Sequence, residues 1–248
     1  MIDNAEIMTK AIQLRKKLGE DGSSPIDIFA IVRDLGNVSL VFYPMGEKLS
    51  GICIKSDDEN CVIGINSEMS RGRQNFSLAH ELYHMYYDKT LVSLCGKTIG
   101  AGKVIEKQAD TFASYFLMPN DELNRKIDIY NEKNLNIDDI IRIEQYFGVS
   151  HQATVIRLCN NKIITQNDAD YYLHQSVRSR AESLGLNGDL YKPLPESKRY
   201  GTYGAYIGQA NQLRQKNMIS QGKYESLLLD AFRPDLVYGD DEGGDIVD

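Results

Sequence analysis

The chain has 248 residues, enough for one large or two small domains, of which 42% are hydrophobic and 25% charged. Lys and Arg number 28 against 35 Asp and Glu, a net charge of −7. This argues against general affinity for nucleic acid or an anionic membrane, because phosphate recognition needs clustered cations. No apolar run approaches the roughly 18 residues of a membrane span. The start lacks the order of a secretory signal, which places the protein in the cytoplasm.

In chain order, Met1 to Leu18 reads as an amphipathic helix ending in Arg15, Lys16 and Lys17, where cations suit the helix dipole. Pro25 to Leu35 reads as a second helix, with Ser24 as N-cap, Pro25 in the first position and Gly36 just past the end. Three strand-like runs follow at Val38–Tyr43, Gly51–Lys55 and Val62–Ile65, rich in Val, Ile and aromatics. A helix is expected from about Ser70 to Asp88, then an irregular stretch to Gly102 punctuated by Gly96, Gly100 and Gly102. Val104 to Met118 is a strong helix stopped by Pro119. Leu135 to Asn160 suggests two short helices joined at Phe147–Ser150.

Beyond Asn160 the pattern weakens. Tyr200 to Gly208 looks like a Gly- and Tyr-rich loop, Gln209–Asn217 and Gln221–Phe232 look helical, and Asp240, Asp241, Glu242, Asp245 and Asp248 make an acidic, solvated end. Cys53, Cys61, Cys95 and Cys159 show no paired metal spacing. In a symmetric hairpin around residues 57–60, Cys53 falls opposite Gly64 and not Cys61, so four free thiols are expected.

The chemistry concentrates in two of these helices. His80-Glu81-Leu82-Tyr83-His84 is an HExxH motif. At 3.6 residues per turn both imidazoles share one helix face and can reach one ion. Glu81 is rotated by about 100° and can address water at that ion instead. Hydrolytic zinc sites use three protein ligands and leave a position for water. An HExxHxxGxxH extension would place a third His at position 90, which is Thr90. The next strong helix offers Glu106 as a candidate third ligand. One turn on, Asp110 can accept an imidazole N–H and fix its tautomer. Ala109, Phe112, Ala113 and Phe116 form a stripe that allows the two helices to pack closely.

The segment Arg73 to His84 (RQNFSLAHELYH) and the segment Glu106 to Pro119 (EKQADTFASYFLMP) together resemble the ImmA/IrrE family of zinc metallopeptidases. The second matches that family's ExxAxxFAxxLLMP stretch, with Phe116 in place of a usual leucine. The resemblance covers about Ile26 to Asn160 and includes the Phe-Gly-Val-Ser turn at 147–150 and the helical segment Glu144–Leu158. The region beyond resembles only some members.

The resemblance implies an α+β fold: a mainly helical, zincin-like (gluzincin-like) core with a small N-terminal sheet over residues 1–125, a helix-turn-helix-like segment over 126–160, and a less defined region over 161–248. It implies Zn²⁺ held by His80, His84 and Glu106, Glu81 as general base, and as substrate and partner a transcriptional repressor of the XRE helix-turn-helix type, whose cleavage derepresses genes of a mobile element, prophage or stress response.

A second oxyanion donor is usual in such chemistry. Tyr115 and His151 are the candidates, while Tyr83, between the two histidines, reads as core and His174 as structural. An edge strand beside the metal can take an extended peptide by strand addition, and Gly51–Lys55 or Val62–Ile65 could serve. The competing reading is a regulatory binding module, such as an antirepressor or toxin–antitoxin component, with a structural or vestigial zinc site. Direct DNA reading is not expected, because His151–Asn160 supplies only Arg157 as a cation.

Overall fold

The computed structural model describes residues 3–56, 59–129 and 135–239. Helix α1 (Asn4–Lys17) and helix α2 (Ile28–Asp34) precede strands β1 (Val38–Tyr43), β2 (Leu49–Lys55) and β3 (Cys61–Asn66), then helix α3 (Arg71–Tyr87), strand β4 (Val92–Gly96) and helix α4 (Val104–Leu117). Helices α5 (Asn120–Ile129), α6 (Ile137–Phe147), α7 (His151–Asn160), α8 (Gln166–Leu173) and α9 (Val177–Ser183) lead to strand β5 (Gly201–Gly204). Helices α10 (Ala205–Gln215), α11 (Gln221–Asp230) and α12 (Asp235–Tyr238) close the described chain. The fold is α+β, mainly helical with one mixed sheet in the order β4-β2-β3-β1-β5. The acidic residues expected at the end lie outside the described residues.

Helix α3 packs on β2 and β3 on one side and on α4 on the other, and α1 covers α4. Alternation along β1 sends Val38, Leu40 and Phe42 inward, where they join Phe29 and Val32 of α2 and Leu78 and Leu82 of α3 in one cluster. The expected small-residue stripe is fully buried: Ala109 and Ala113 let α4 approach α3, and Phe112 stacks on Phe116 at 5.4 Å. Truncating an aromatic so enclosed costs about 3–5 kcal/mol. Arg15, at the end of α1, is also buried. It donates to the carbonyls of Phe116 (2.6 Å), Asp21 (2.8 Å) and Ser24, so it ties α1 to α4 as well as facing its own helix end.

Several expectations are corrected. Helix α2 starts at Ile28 because Asp27, not Ser24, caps it: one carboxylate oxygen accepts from the N–H of Phe29 and of Ala30 at 3.0 Å. The stretch after Asp88 is not wholly irregular; it holds β4, which pairs antiparallel with β2. Neither β2 nor β3 is an edge. β2 lies between β3 and β4, and β3 between β2 and β1, so the edges are β4 and β5. The Gly- and Tyr-rich stretch at 200–208 is not a loop either, since it forms β5 antiparallel to β1 and then opens α10. Helices α8 and α9 give no strong periodic signal because each is short and mostly polar, while α5, unread in the sequence, is short but amphipathic, burying Leu123 and Ile127.

The β2–β3 register also differs by one residue: Cys53 pairs with Ile63, not Gly64. Ser56 pairs with Asn60, and Glu59 takes a left-handed φ of 66°, so the connection is one residue shorter than the symmetric hairpin assumed. The shift puts Cys53 and Cys61 on a cross-strand diagonal with their sulfurs 3.4 Å apart, both as free thiols.

Candidate metal centre

One turn of α3 separates His80 from His84, and their Nε2 atoms lie 3.2 Å apart. From the first turn of α4, Glu106 places Oε2 3.4 Å from His80 Nε2 and Oε1 3.6 Å from His84 Nε2. A tetrahedral ion with bonds of about 2.1 Å separates its donors by about 3.4 Å, so these three groups already stand at ligand spacing. Cys95 of β4 completes a group of four whose donor atoms all lie within 4.8 Å of one another. Two imidazoles, a carboxylate and a thiol are a zinc-type donor set.

Each imidazole is steered by its own carboxylate. His80 Nδ1 bonds Asp110 Oδ1 at 2.8 Å, and the other Asp110 oxygen accepts the N–H of Gly100 at 2.6 Å. His84 Nδ1 bonds Asp88 Oδ2 at 2.9 Å. Asp88 in turn accepts from the hydroxyl of Thr90 at 2.7 Å and from its N–H at 3.0 Å. Where an extended motif would carry a third histidine, Thr90 therefore holds the carboxylate that orients the second one. With both Nδ1 atoms engaged, both Nε2 atoms are free to face an ion.

The electrostatics fit a cation trap. Burial would depress the His80 imidazole, but Asp110, Glu106 and the charge on Glu81 outweigh it and lift its pKa to about 10. Burial dominates at His84 and lowers its pKa, against the pull of Asp88. Glu106 is held low by its bond to His80. Asp88 lies at about 2; burial pushes it up, but the Thr90 bonds and His84 outweigh this.

Glu81 is fully buried, with the Cys95 thiol against its carboxylate and, among the described residues, no N–H or O–H donor on either oxygen. Burial raises its pKa to about 7. Residue 51 is glycine, and a Cβ there would lie 2.5 Å from Glu81 Oε1 and 3.1 Å from its Cδ, so any side chain would displace the carboxylate. Gly51 pairs with Cys95 across β2 and β4, so the sheet brings the Cys95 thiol beside the Glu81 carboxylate. Outside them opens a cleft of about 800 Å³ between β4 and the start of α4, with His80 and Glu106 in its wall and Lys48, Leu94, Lys97 and Lys103 around it.

The structure thus brings His80, Glu81, His84, Glu106 and Asp110 together and leaves the two expected oxyanion stabilisers elsewhere. Tyr115 is nine residues beyond Glu106, about 13 Å along α4, with its ring against the Arg157 guanidinium at 3.8 Å. Both nitrogens of His151 are taken, Nδ1 by Glu144 at 2.7 Å and Nε2 by the carbonyl of Tyr172 at 2.8 Å. Tyr83 is core, bonding Gln108 Oε1 at 3.2 Å, and His174 bonds the carbonyl of Asp170 at 2.6 Å. Arg157 is buried, with bonds to Met118 O and Asn120 Oδ1.

Asp88 and Cys95 were missed by sequence reasoning. Asp88 sits one helical turn after His84, the same spacing that marks the two histidines, and could have been found by it. Cys95 has no local spacing to a ligand, and only the β2–β4 pairing brings it in.

Residues 37–159 match the model of the peptidase M78 family, described as an IrrE N-terminal-like domain. No curated protein matches the chain. The matched span begins just before β1 and ends in α7, and so includes the four strands β1 to β4, both site helices and all four donors. Residues 37–159 are thus a peptidase M78 domain of the ImmA/IrrE type.

Proposed function

We propose that the protein is a zinc-dependent endopeptidase of the cytoplasm whose substrate is a transcriptional repressor of the XRE helix-turn-helix type. One observation carries the hydrolytic reading: a fully buried carboxylate, Glu81, stands beside three converging donors at ligand spacing. The repressor as substrate rests on the family of the 37–159 domain. In this reading His80, His84 and Glu106 hold the ion, and Asp110 and Asp88 fix the two imidazoles. When bound, zinc supplies Lewis acidity, acidifying a water and polarising a peptide carbonyl. Glu81 takes the proton of the attacking water on a carboxylate oxygen and passes it to the amide nitrogen as the peptide bond breaks.

Substrate alignment falls to β4. It has a strand neighbour on one side only, it borders the cleft, and its Val92 and Leu94 are 56% and 60% exposed. An extended segment of the repressor can add to that edge through backbone hydrogen bonds, which give affinity without strict side-chain demands.

The test is Glu81→Gln, which keeps side-chain size and cannot take a proton. The variant folds, retains zinc and binds the repressor, and cleavage falls by at least the ~10²–10⁴-fold typical of a lost general base. Co-expressed repressor is cut by the parent and stays intact with the variant. Regulation that persists in Glu81→Gln, with no fragment from either protein, would establish the binding-module reading instead.

A further inference from the structure

Three of the four cysteines are buried, but they do not share one setting. Cys53 and Cys61 face each other between β2 and β3. The thiol of Cys95 faces the carboxylates of Glu81 and Glu106, and its sulfur belongs to the group of donors lying within 4.8 Å of one another. A cysteine serving only as a small apolar filler gains nothing from two carboxylates and two imidazoles as neighbours.

Its backbone is held for that position. The Ser50 hydroxyl donates to the carbonyls of Cys95 at 3.2 Å and Gly96 at 3.0 Å, and the irregularity in the β2–β4 register falls at Leu49–Gly51, directly beside it. Alternation along β4 turns Ser93 and Cys95 toward the helices, and Val92 and Leu94 outward.

We propose that Cys95 is a fourth protein ligand of the metal, closing a His₂–Glu–Cys tetrahedron and holding the site in a latent state. Zinc sites with four protein ligands are closed, whereas hydrolytic sites keep one position for water. Three donors, His80, His84 and Glu106, already serve a hydrolytic site, so a thiolate in the remaining position excludes the water that Glu81 would deprotonate. The ligation stands on the donor geometry alone. The latency rests on the peptidase reading given above.

The sheet also supplies a way out of the latent state. β4 is an edge strand, paired on one side only, and the loop that follows it carries Gly100 and Gly102 with φ of 79° and 85°. Moving that strand would withdraw the sulfur and leave His80, His84 and Glu106 in place. The peptide that adds to the free edge of β4 is thus poised to open the site it will enter.

The test uses the intact protein loaded with zinc or with cobalt(II). X-ray absorption at the zinc edge should give the parent one sulfur neighbour at about 2.3 Å, and the cobalt form should show a near-ultraviolet thiolate-to-metal charge-transfer band. Both features disappear in Cys95→Ala, which still binds one equivalent of metal, and Cys95→Ser behaves similarly. Acetohydroxamate, a small chelator that needs an open position, should change the visible spectrum of cobalt-loaded Cys95→Ala and leave that of the parent unchanged. A parent metal without sulfur in its shell overturns the ligation, and this measurement needs no variant. Sulfur ligation with equal acetohydroxamate binding to parent and variant overturns the latency. If both results come out as expected and Cys95→Ala cuts no repressor, it is the peptidase reading that fails and the closed site that stands.

Discussion

Helices α3 and α4 bury Gln74, Ser77, His80, Glu81 and His84 beside Phe112 and Phe116. Helices α8 to α11 bury Ala169, Ala181, Ala205, Ala210 and Leu228 and, among the described residues, no charged side chain. Both regions are helical and both reach the same sheet, yet the first encloses chemistry and the second only attaches. Polar groups leave water at a cost unless each finds a partner. The first region therefore demands particular residues at particular spacings, while the second asks only for small side chains that let helices lie down. The partly exposed Tyr203 and Arg233, whose guanidinium lies 4.8 Å from the Tyr203 ring, are typical of the second. Substitutions of equal size should have very unequal consequences in the two.

The largest contrast is a single methyl group. Gly51→Ala sets a Cβ against the Glu81 carboxylate, whereas a Cβ added at Gly208 or Gly222 meets nothing within 4 Å. Displacing a reacting group by about 1 Å can cost ~10²-fold in rate. Gly51→Ala should therefore lose about that much repressor cleavage while still binding one metal per chain. Gly208→Ala and Gly222→Ala should cleave like the parent and gain up to ~1 kcal/mol in stability from the stiffer unfolded chain. Cleavage assays and metal analysis on the three variants decide it. Undiminished cleavage in Gly51→Ala would mean that Glu81 is not the base.

Next come the carboxylates. Asp88→Ala and Asp110→Ala each free one imidazole to rotate, and each should weaken zinc binding by ~10–100-fold, the usual effect of removing a group that orients a ligand. Asp138, on the half-buried first turn of α6, bonds Arg180 of α9 at 2.6 and 2.7 Å. Asp138→Ala breaks a pair just as well formed and should leave zinc affinity unchanged. Competition with a chromophoric chelator measures all three. Equal affinities across the set would show that the tautomers are fixed by something other than Asp88 and Asp110.

The attachment of the second region can be broken in isolation. Gly204, where β5 passes into α10, has a φ of 79°, and a Cβ there would lie 2.5 Å from the carbonyl oxygen of Val38. Backbone strain of this kind costs about 1–3 kcal/mol. Gly204→Ala should lower the thermal midpoint and expose 201–239 to limited proteolysis, with one metal per chain retained. Loss of the metal in this variant would mean that β5 supports the donors through β1 and β3, and that the two regions fold as one.

The sequence was readable where one residue's chemistry fixes the next. His80, Glu81 and His84 declare a face by spacing alone, and the apolar stripe from Ala109 to Phe116 declares the helix that must meet it. Glu106 and Asp110 follow from that meeting. What could not be read was long-range or cooperative. Strand β4 is five residues with an exposed Val92 and Leu94, and only pairing with β2 makes it a strand. That same pairing brings Cys95 next to Glu81. The β2–β3 register depended on a single left-handed residue, Glu59. Strand β5 has two glycines in its four residues, a composition that reads as loop until β1 offers it a partner. Helices α8 and α9 are polar and short, so their periodicity falls below what a sequence window resolves.

The smallest effect lies where the two regions join. His151 of α7 bonds Glu144 of α6 and the carbonyl of Tyr172 of α8, and Tyr191 stands beside Glu144. Burial raises the Glu144 pKa, against the pull of His151. Burial acts to lower the His151 pKa, but Glu144 outweighs it and the net shift is upward. A group whose folded pKa is raised binds its proton more tightly in the folded chain, so its contribution is full below the unfolded pKa and is lost as pH rises through the folded one. For Glu144 the loss begins above about 4.5, and for His151 above about 6.5. Both terms have the same sign. Glu144→Gln removes the first outright and leaves His151 with burial opposed only by the Tyr172 carbonyl, which weakens the second. The advantage of the parent over Glu144→Gln in thermal midpoint should therefore shrink steadily from about pH 5 to about pH 8.5. The comparison is made on metal-free samples of both, so that zinc release does not enter the curve. An advantage that stays constant, or grows with pH, would mean that the pair is not sharing a proton across the junction. The two regions would then be held together by Tyr172, Arg180 and β5 without help from His151.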